Sequence, residues 1–282
     1  MKKTLLLLVC LGVSLSPAQT TTPTFHLVPA KVGLVLLGAA HDGFAIATDG
    51  ASLNADGRVS QEQKLLQAGK QAALAIFGTV SVQDPVGRPV REEVNISRTA
   101  AAWLAAHPDA DLQTISREVN SAVLAAVNQF FATRDPGAAH GEFKFGIVVA
   151  GLSQGNPMVI TTRYFLPAAK GKALRTEQTS TVARPGNVWL FGNSSAAKGL
   201  LAGSSSALAP FRTEDAVRKF HVERQKSGAM DMAAAFQVIV RAAESDDGKK
   251  LDGKRAIVAP PERIATITFK EGFNWRQEAQ TR

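Results

Sequence analysis

Residues Val32 to Gly78 read VGLVLLGAAHDGFAIATDGASLNADGRVSQEQKLLQAGKQAALAIFG, and they contain the strongest structural pattern of the chain. Two apolar runs flank the dipeptide Asp42-Gly43, which is a strong hairpin signal because Gly tolerates the positive φ that tight turns require. Asp49 closes the second run, and Lys64 stands just before a third apolar run. We therefore predict strands at about 33–40, 43–48 and 71–77.

Downstream of this stretch, the hydrophobic period changes between helix and strand in blocks. Residues 111–131 carry apolar side chains at three- and four-residue steps, which predicts an amphipathic helix capped by Asp109 or Asp111. Thr213, followed by two acids, is predicted to cap a later helix. The remaining predicted segments are a helix near 97–107, strands at 143–150, 157–165, 173–182 and 188–191, helices near 213–226 and 230–244, and a last strand from Ile264 to Phe269. Blocks of this kind indicate α+β segregation.

The first eighteen residues have the features of a secretory signal peptide. Lys2 and Lys3 precede the apolar run Thr4 to Leu15, and Ser16-Pro17-Ala18 supplies small residues for cleavage. We expect an exported protein, periplasmic or secreted, with no membrane span after signal removal. The predicted organisation is a signal peptide (1–18), an extended lead-in (19–31), a single domain (32–275) and a polar tail (276–282).

Cysteine content and charge limit the function classes. The one cysteine, Cys10, lies in the predicted signal peptide, so the mature chain offers no disulfide, thiolate metal site or cysteine nucleophile. The formal charge of +8 becomes +6 once the two signal lysines are removed. Because basic and acidic residues are interleaved, we expect a solvated surface and no nucleic-acid site. The five histidines lack zinc-ligand spacing, so no metal or cofactor is proposed.

The order of hairpin, Asp49, Lys64 and third strand resembles the opening of proteasome subunits and their relatives among the N-terminal-nucleophile (Ntn) hydrolases. FKFGIVVAGLSQGNPMVITTRYF is similar to the central hairpin of that family, and VWLFGNSSAAKGLL to its strand, Gly/Ser turn and helix. AAFQVIVRAAESDDG followed by APPERIATITFKEGF resembles its closing helix, acidic loop and last strand. The resemblance implies an α+β fold in a four-layer αββα sandwich.

The same resemblance implies a site. In such enzymes a terminal Thr or Ser hydroxyl attacks the substrate, the free α-amine acts as base, and a lysine and carboxylates support them. Lys64 would take the role of the lysine, and Asp49 and Asp246 would take those of the carboxylates. Asn193 stands where the family often has Ser. Alternatively, Asp49 is a turn residue that accepts backbone hydrogen bonds, and Lys64 is a solvated surface residue.

The nucleophile is where the sequence departs from this pattern. Counting back from Asp49 by the spacing of the family reaches Gly33, and the chain has no Ser, Thr or Cys between Thr24 and Thr48. An alternative is Thr20, which signal cleavage after Gln19 would expose as a new N-terminus.

Three functions follow as expectations. The first is an exported, proteasome-like binding or assembly module without the usual nucleophile, with a peptide or protein ligand or a second copy of itself as partner. The second is a diverged threonine-type peptidase or amidohydrolase that uses Thr20. The third is a cationic envelope protein that binds polyanions.

Overall fold

The computed structural model describes residues 24–30, 32–53, 59–83, 93–134, 141–253 and 258–277. The predicted signal peptide and Thr20 lie outside these residues. The strands, in chain order, are β1 Phe25–Val28, β2 Val35–Ala40, β3 Gly43–Thr48, β4 Ala51–Leu53, β5 Val59–Gln61, β6 Leu65–Gln67, β7 Ala72–Gly78, β8 Ser81–Gln83, β9 Glu93–Asn95, β10 Phe143–Ser153, β11 Asn156–Phe165, β12 Arg175–Val182, β13 Val188–Phe191, β14 Arg263–Thr268 and β15 Gly272–Gln277. The helices are α1 Ile96–Ala106, α2 Leu112–Phe131, α3 Ser195–Leu201, α4 Ala209–Arg212, α5 Asp215–Glu223, α6 Ala229–Glu244 and α7 Asp246–Asp252.

Two large sheets are stacked between two layers of helices. The first sheet has the order β1-β13-β2-β3-β14-β15, and the second has the order β12-β11-β10-β7-β6. Helices α1 and α2 cover the outer face of the second sheet, and α3, α5 and α6 cover the outer face of the first. The predicted four-layer αββα sandwich of the α+β class is therefore confirmed.

The alternation of side chains along β2 and β3 explains why this stretch needs two covering layers. Leu36 and Ala45 point to the helix layer, whereas Leu37 and Phe44 point to the space between the sheets. Because successive strand residues face opposite sides, a strand covered on both faces must be apolar throughout.

The predicted hairpin is also confirmed. β2 and β3 pair antiparallel up to Ala40 and Gly43, which leaves His41 and Asp42 as the loop. The Asp42 carboxylate accepts a hydrogen bond from the backbone N–H of Ala229 at 2.7 Å, at the start of α6. α6 begins after Gly228, which has no side chain that could cap the helix, and Asp42 supplies this acceptor from the hairpin turn. The turn residue therefore also connects the helix layer to the sheet.

Some local predictions are wrong. Asp111 caps α2, as one of the two expected candidates, but Thr213 does not cap α5. Its hydroxyl donates to carbonyls of α4, and Glu214 occupies the N-cap position. The reason is that residues 209–212 form a short helix of their own, so Thr213 ends one helix before the next begins.

The structure has strands that the sequence analysis did not predict: the three-residue strands β4, β5, β6, β8 and β9, and one strand at each end of the predicted order. The lead-in predicted over 19–31 contains β1, which pairs in parallel with β13. β15 pairs with β14 and reaches Gln277, two residues into the predicted tail. No helix in the described ranges is long and apolar enough to cross a membrane.

Candidate functional site

Asp49 and Lys64 form a fully buried ion pair at the end of β3. The Lys64 ammonium donates to Asp49 Oδ1 at 2.9 Å, and neither side chain has any exposed surface. The interpretation of Lys64 as a solvated residue is therefore wrong. Burying two opposite charges stabilises a fold only when further hydrogen bonds satisfy their remaining atoms.

Backbone amides supply those bonds to Asp49. Its Oδ1 accepts the Leu34 N–H at 2.7 Å, and its Oδ2 accepts N–H groups from Ala51 at 3.2 Å and Ala259 at 3.3 Å. The carboxylate thus fastens the start of β2, the start of β4 and the segment before β14 at one point. Asp49 does accept backbone hydrogen bonds, as the alternative interpretation states. It also accepts a bond from Lys64, which that interpretation does not include.

Gly33 lies directly against this pair. Its φ is +78°, and a Cβ placed on it would be 2.2 Å from Lys64 Nζ and 3.3 Å from Asp49 Oδ1. Gly192, in the turn after β13, packs on the other side, since a Cβ there would be 2.6 Å from the Gly33 carbonyl oxygen. The residue that the spacing predicts as the nucleophile position is therefore next to the lysine, and the lysine ammonium fills the space of a side chain.

The described residues just before Gly33 are hydrogen-bonded to the two large sheets. Val28 accepts a hydrogen bond from the Gly192 N–H at 2.9 Å, and Val32 accepts one from the Gly78 N–H at 3.2 Å. Ala30 and Val32 are buried. An N-terminal nucleophile needs a free α-amine next to its hydroxyl. In this arrangement the nitrogen of Gly33 is a peptide nitrogen preceded by an ordered strand.

The structure does not bring Asp246 to this pair. Asp246 is exposed in the first turn of α7, where Ser245 caps the helix by accepting the Gly248 N–H at 3.1 Å. The predicted cluster of Asp49, Lys64 and Asp246 is therefore wrong in its third member. The segment expected to be an acidic loop is a short helix whose first-turn acids face solvent, where they interact favourably with the N-terminal end of the helix dipole.

Glu244 is the acidic residue near Asp49 that the sequence reasoning missed. It ends α6, and its Oε1 is buried with no hydrogen-bond partner among the described residues. Burial first, and then the Glu262 and Asp49 carboxylates, raise the pKa of Glu244 to about 8, although Lys249 acts in the opposite direction. A protonated Glu244 at neutral pH avoids a further buried negative charge beside Asp49.

The turn after β13 is held by a second acidic residue that the sequence did not single out. The buried Asp252 accepts the Ser194 hydroxyl at 2.8 Å and the Ala196 N–H at 3.1 Å, and it also accepts the Ser195 N–H. Asn193, expected where the family often has Ser, accepts a hydrogen bond from Lys198 at 2.8 Å. These contacts fix the start of α3.

The chemistry of this site follows from its parts. It contains a buried ammonium, a carboxylate with all its bonds made, and a glycine where a hydroxyl would be needed. Across the described ranges there is no group of three or more His, Cys, Asp or Glu side chains that could hold a metal ion. Thr20, the alternative nucleophile, lies outside the described residues, and its catalytic role stays a prediction, as do those of Asp49, Lys64 and Asp246.

Known proteins resemble this chain in structure and not in sequence. No family model matches it, and no curated protein matches it. The Anbu complex from Pseudomonas aeruginosa, solved as a helical assembly, is similar with a TM-score of 0.53 at 12% identity over 88% of each chain. Anbu (ancestral beta-subunit) from Yersinia bercovieri is similar with a TM-score of 0.50 at 11% identity, over 87% of this chain and 88% of that one.

These comparisons correct the resemblance stated from the sequence. The structural neighbours are Anbu proteins, which are proteasome-like but form a distinct group, and neither a family model nor a curated relative supports a proteasome subunit. Identities of this size show the fold alone. The chain therefore has the Ntn-hydrolase, proteasome-like fold, and Anbu proteins are among its structural neighbours.

Proposed function

We propose that this chain is an exported, proteasome-like assembly module that does not use the N-terminal-nucleophile mechanism. The observation that carries the proposal is the contact between Gly33 and the buried Asp49–Lys64 pair. With Lys64 Nζ 2.2 Å from the Cβ position of residue 33, the pair occupies the space where a nucleophile side chain would project. A covalent intermediate needs a hydroxyl or thiol at that place, and glycine has neither.

The role of the ion pair is then structural. Asp49 joins four donors from separate parts of the chain, and removing either partner would leave a buried charge without its counter-ion. A pair kept for stability does not need solvent access, and both side chains are fully buried. A pair kept for hydrolysis needs substrate and water to reach it.

Assembly is supported by the structural neighbours. The Pseudomonas aeruginosa Anbu complex was solved as a helical assembly, and this chain shares its fold. We propose that the partner is a second copy of this chain. Export rests on the N-terminal sequence Met1 to Ala18, which is outside the described residues.

Covalent labelling tests the non-catalytic part of this proposal. The exported protein is incubated with an electrophile that traps N-terminal threonine, side by side with Thr20→Ala, and peptide hydrolysis is measured on both. We expect no label and no hydrolysis in either. A label on the wild type that Thr20→Ala abolishes would replace this proposal with a threonine-type hydrolase. The oligomeric mass of the unlabelled protein tests the assembly part separately.

A further inference from the structure

The longest open edge of the two large sheets is β12. It is the terminal strand of the second sheet and pairs with β11 along all eight of its residues. The other end of that sheet is β6, with three residues, and the ends of the first sheet are β1 and β15, with four and six. In an antiparallel ladder about half of the peptide groups of an edge strand point away from the sheet, where another strand can pair with them.

β12 is also largely exposed on both of its faces. Every residue of the strand is exposed except Thr181, which is half-buried, although Gln178 contacts α2 through Ser116. Val182 is 58% exposed. The sequence of β12, RTEQTSTV, has no proline or lysine and is uncharged after Glu177. Proteins prevent edge strands from pairing with proline and with charged side chains, especially lysine; the charged residues of β12, Arg175 and Glu177, lie in its first half.

The faces of β12 limit how it could pair with a copy of itself. Gln178 donates to Ser116 of α2 at 3.1 Å, so even-numbered residues face the helix layer and odd-numbered residues face the other side. Residues directly opposite each other in an antiparallel pair share a face. Two copies in one continuous sheet must therefore be related by a two-fold axis through a residue, so that even numbers oppose even numbers.

Strand overlap and charge together select the register among these: axes at Gln178 and Thr179 each pair seven of the eight residues of the strand, and every other axis pairs fewer. A two-fold axis at Glu177 would place two carboxylates opposite each other, which is unfavourable. An axis at Gln178 places Glu177 opposite Thr179 of the second copy, and an axis at Thr179 places it opposite Thr181. In both registers Arg175 also opposes an uncharged residue, Thr181 or Ala183. The uncharged centre of the strand is therefore self-complementary.

We propose that β12 is an interface between two copies of this chain, paired antiparallel about Gln178 or Thr179 so that the second sheet continues across the dimer. This inference rests on the proposed assembly function and names the surface that performs it. A peptide bound by strand addition is the other occupant that such an edge accepts. The run from Gln178 to Val182 is exposed except at the half-buried Thr181, and it is uncharged, so it can oppose its own copy without placing like charges together, which favours a second copy of the strand.

Disulfide trapping tests the interface in the exported protein, with Cys10→Ser included so that no natural cysteine can crosslink. Residues on the two-fold axis have Cα atoms about 4.5–5.5 Å apart across an antiparallel pair, which is within the range of a disulfide. We expect Thr179→Cys or Gln178→Cys, one of the two, to give a covalent dimer on mild oxidation at micromolar concentration. Val222→Cys, at the most exposed large apolar residue of α5, is the matched control and should stay uncrosslinked.

A second variant tests the same interface without a covalent crosslink. Thr179→Lys places two ammonium groups at the centre of the interface, and it should reduce the oligomeric mass in light scattering while leaving the circular dichroism spectrum of the folded chain unchanged. Val222→Lys should leave the mass as it is. An oligomeric wild type in which neither β12 cysteine crosslinks and Thr179→Lys keeps the mass would overturn this interface and leave assembly standing. A monomeric wild type would overturn both.

Discussion

Gly33→Ala is the substitution that tests the geometry of the site most sharply. Gly33 has φ +78°, and an L-residue in the left-handed region costs about 1–2 kcal/mol. The new methyl group would also be 2.2 Å from Lys64 Nζ, so the ammonium must leave its position 2.9 Å from Asp49. Breaking a buried pair by removing a partner costs about 3–5 kcal/mol, and displacement costs a part of that.

The expected sum is a loss of about 2–5 kcal/mol in the free energy of unfolding. For a chain of this size, each kcal/mol lowers the melting temperature by about 2–4 °C. Urea unfolding and calorimetry of wild type and variant measure both quantities.

Gly155→Ala is the matched control for this change. Gly155 has the same φ of +78°, and nothing lies within 4 Å of its Cβ position. The control therefore carries the backbone cost alone, and the difference between the two variants isolates the contact with Lys64. If Gly33→Ala is no more destabilising than Gly155→Ala, the ammonium does not fill this space and the reasoning fails.

Three further substitutions test the charges around the site. Lys64→Met should cost about 3–5 kcal/mol of unfolding free energy because it leaves the Asp49 carboxylate buried without its counter-ion; adding Asp49→Asn should recover part of that cost in a double-mutant cycle. Glu244→Gln should remove a pH dependence. The pKa of Glu244 is about 8 when folded against 4.5 as the reference value, so its stabilising protonation is complete below pH 4.5 and is lost as the pH rises to 8. Asp252→Ala should cost about 1–3 kcal/mol, because three donors lose their acceptor.

Each of these has its own control. Asp247→Ala, on the exposed side of α7, should cost far less than Asp252→Ala, and equal costs would show that the α3 cap is unimportant. For Glu244→Gln, unfolding is measured at pH 5 and pH 8, with the exposed substitution Glu271→Gln alongside. If the free energy of unfolding falls from pH 5 to pH 8 by the same amount in wild type and in Glu244→Gln, then this pH dependence comes from groups other than Glu244. Strict additivity of Lys64→Met and Asp49→Asn would deny their coupling.

The Asp42-Gly43 turn between two continuous apolar runs was sufficient to predict the hairpin. The second sheet and the helix layers that cover it were predicted only from the family resemblance, because an apolar run does not show which elements pack on it. The approach of Lys64 to Asp49 came only from the family resemblance, since a lysine before a strand is usually solvated. The structure shows it buried at the end of β3, where its ammonium lies 2.9 Å from Asp49 Oδ1.

Other parts of the site could not be read from local patterns. β1 is four residues long and pairs with β13, more than 150 residues away, so no local signal marks it. The choice between Glu244 and Asp246 depended on where α6 ends. Ser245, by capping α7, leaves Glu244 on the buried side and turns Asp246 to solvent. The capping pattern of Ser245 followed by two acids was the available signal for that boundary.

Intact-mass spectrometry of the exported protein, before and after incubation with an electrophile that traps N-terminal threonine, tests the central claim most directly. The account predicts a mature chain that begins before Phe25, so that β1 is retained and Gly33 stays inside the chain, and a mass that the electrophile does not change. A mature N-terminus at Gly33, or an adduct on the wild type that is absent from Thr20→Ala, would contradict it.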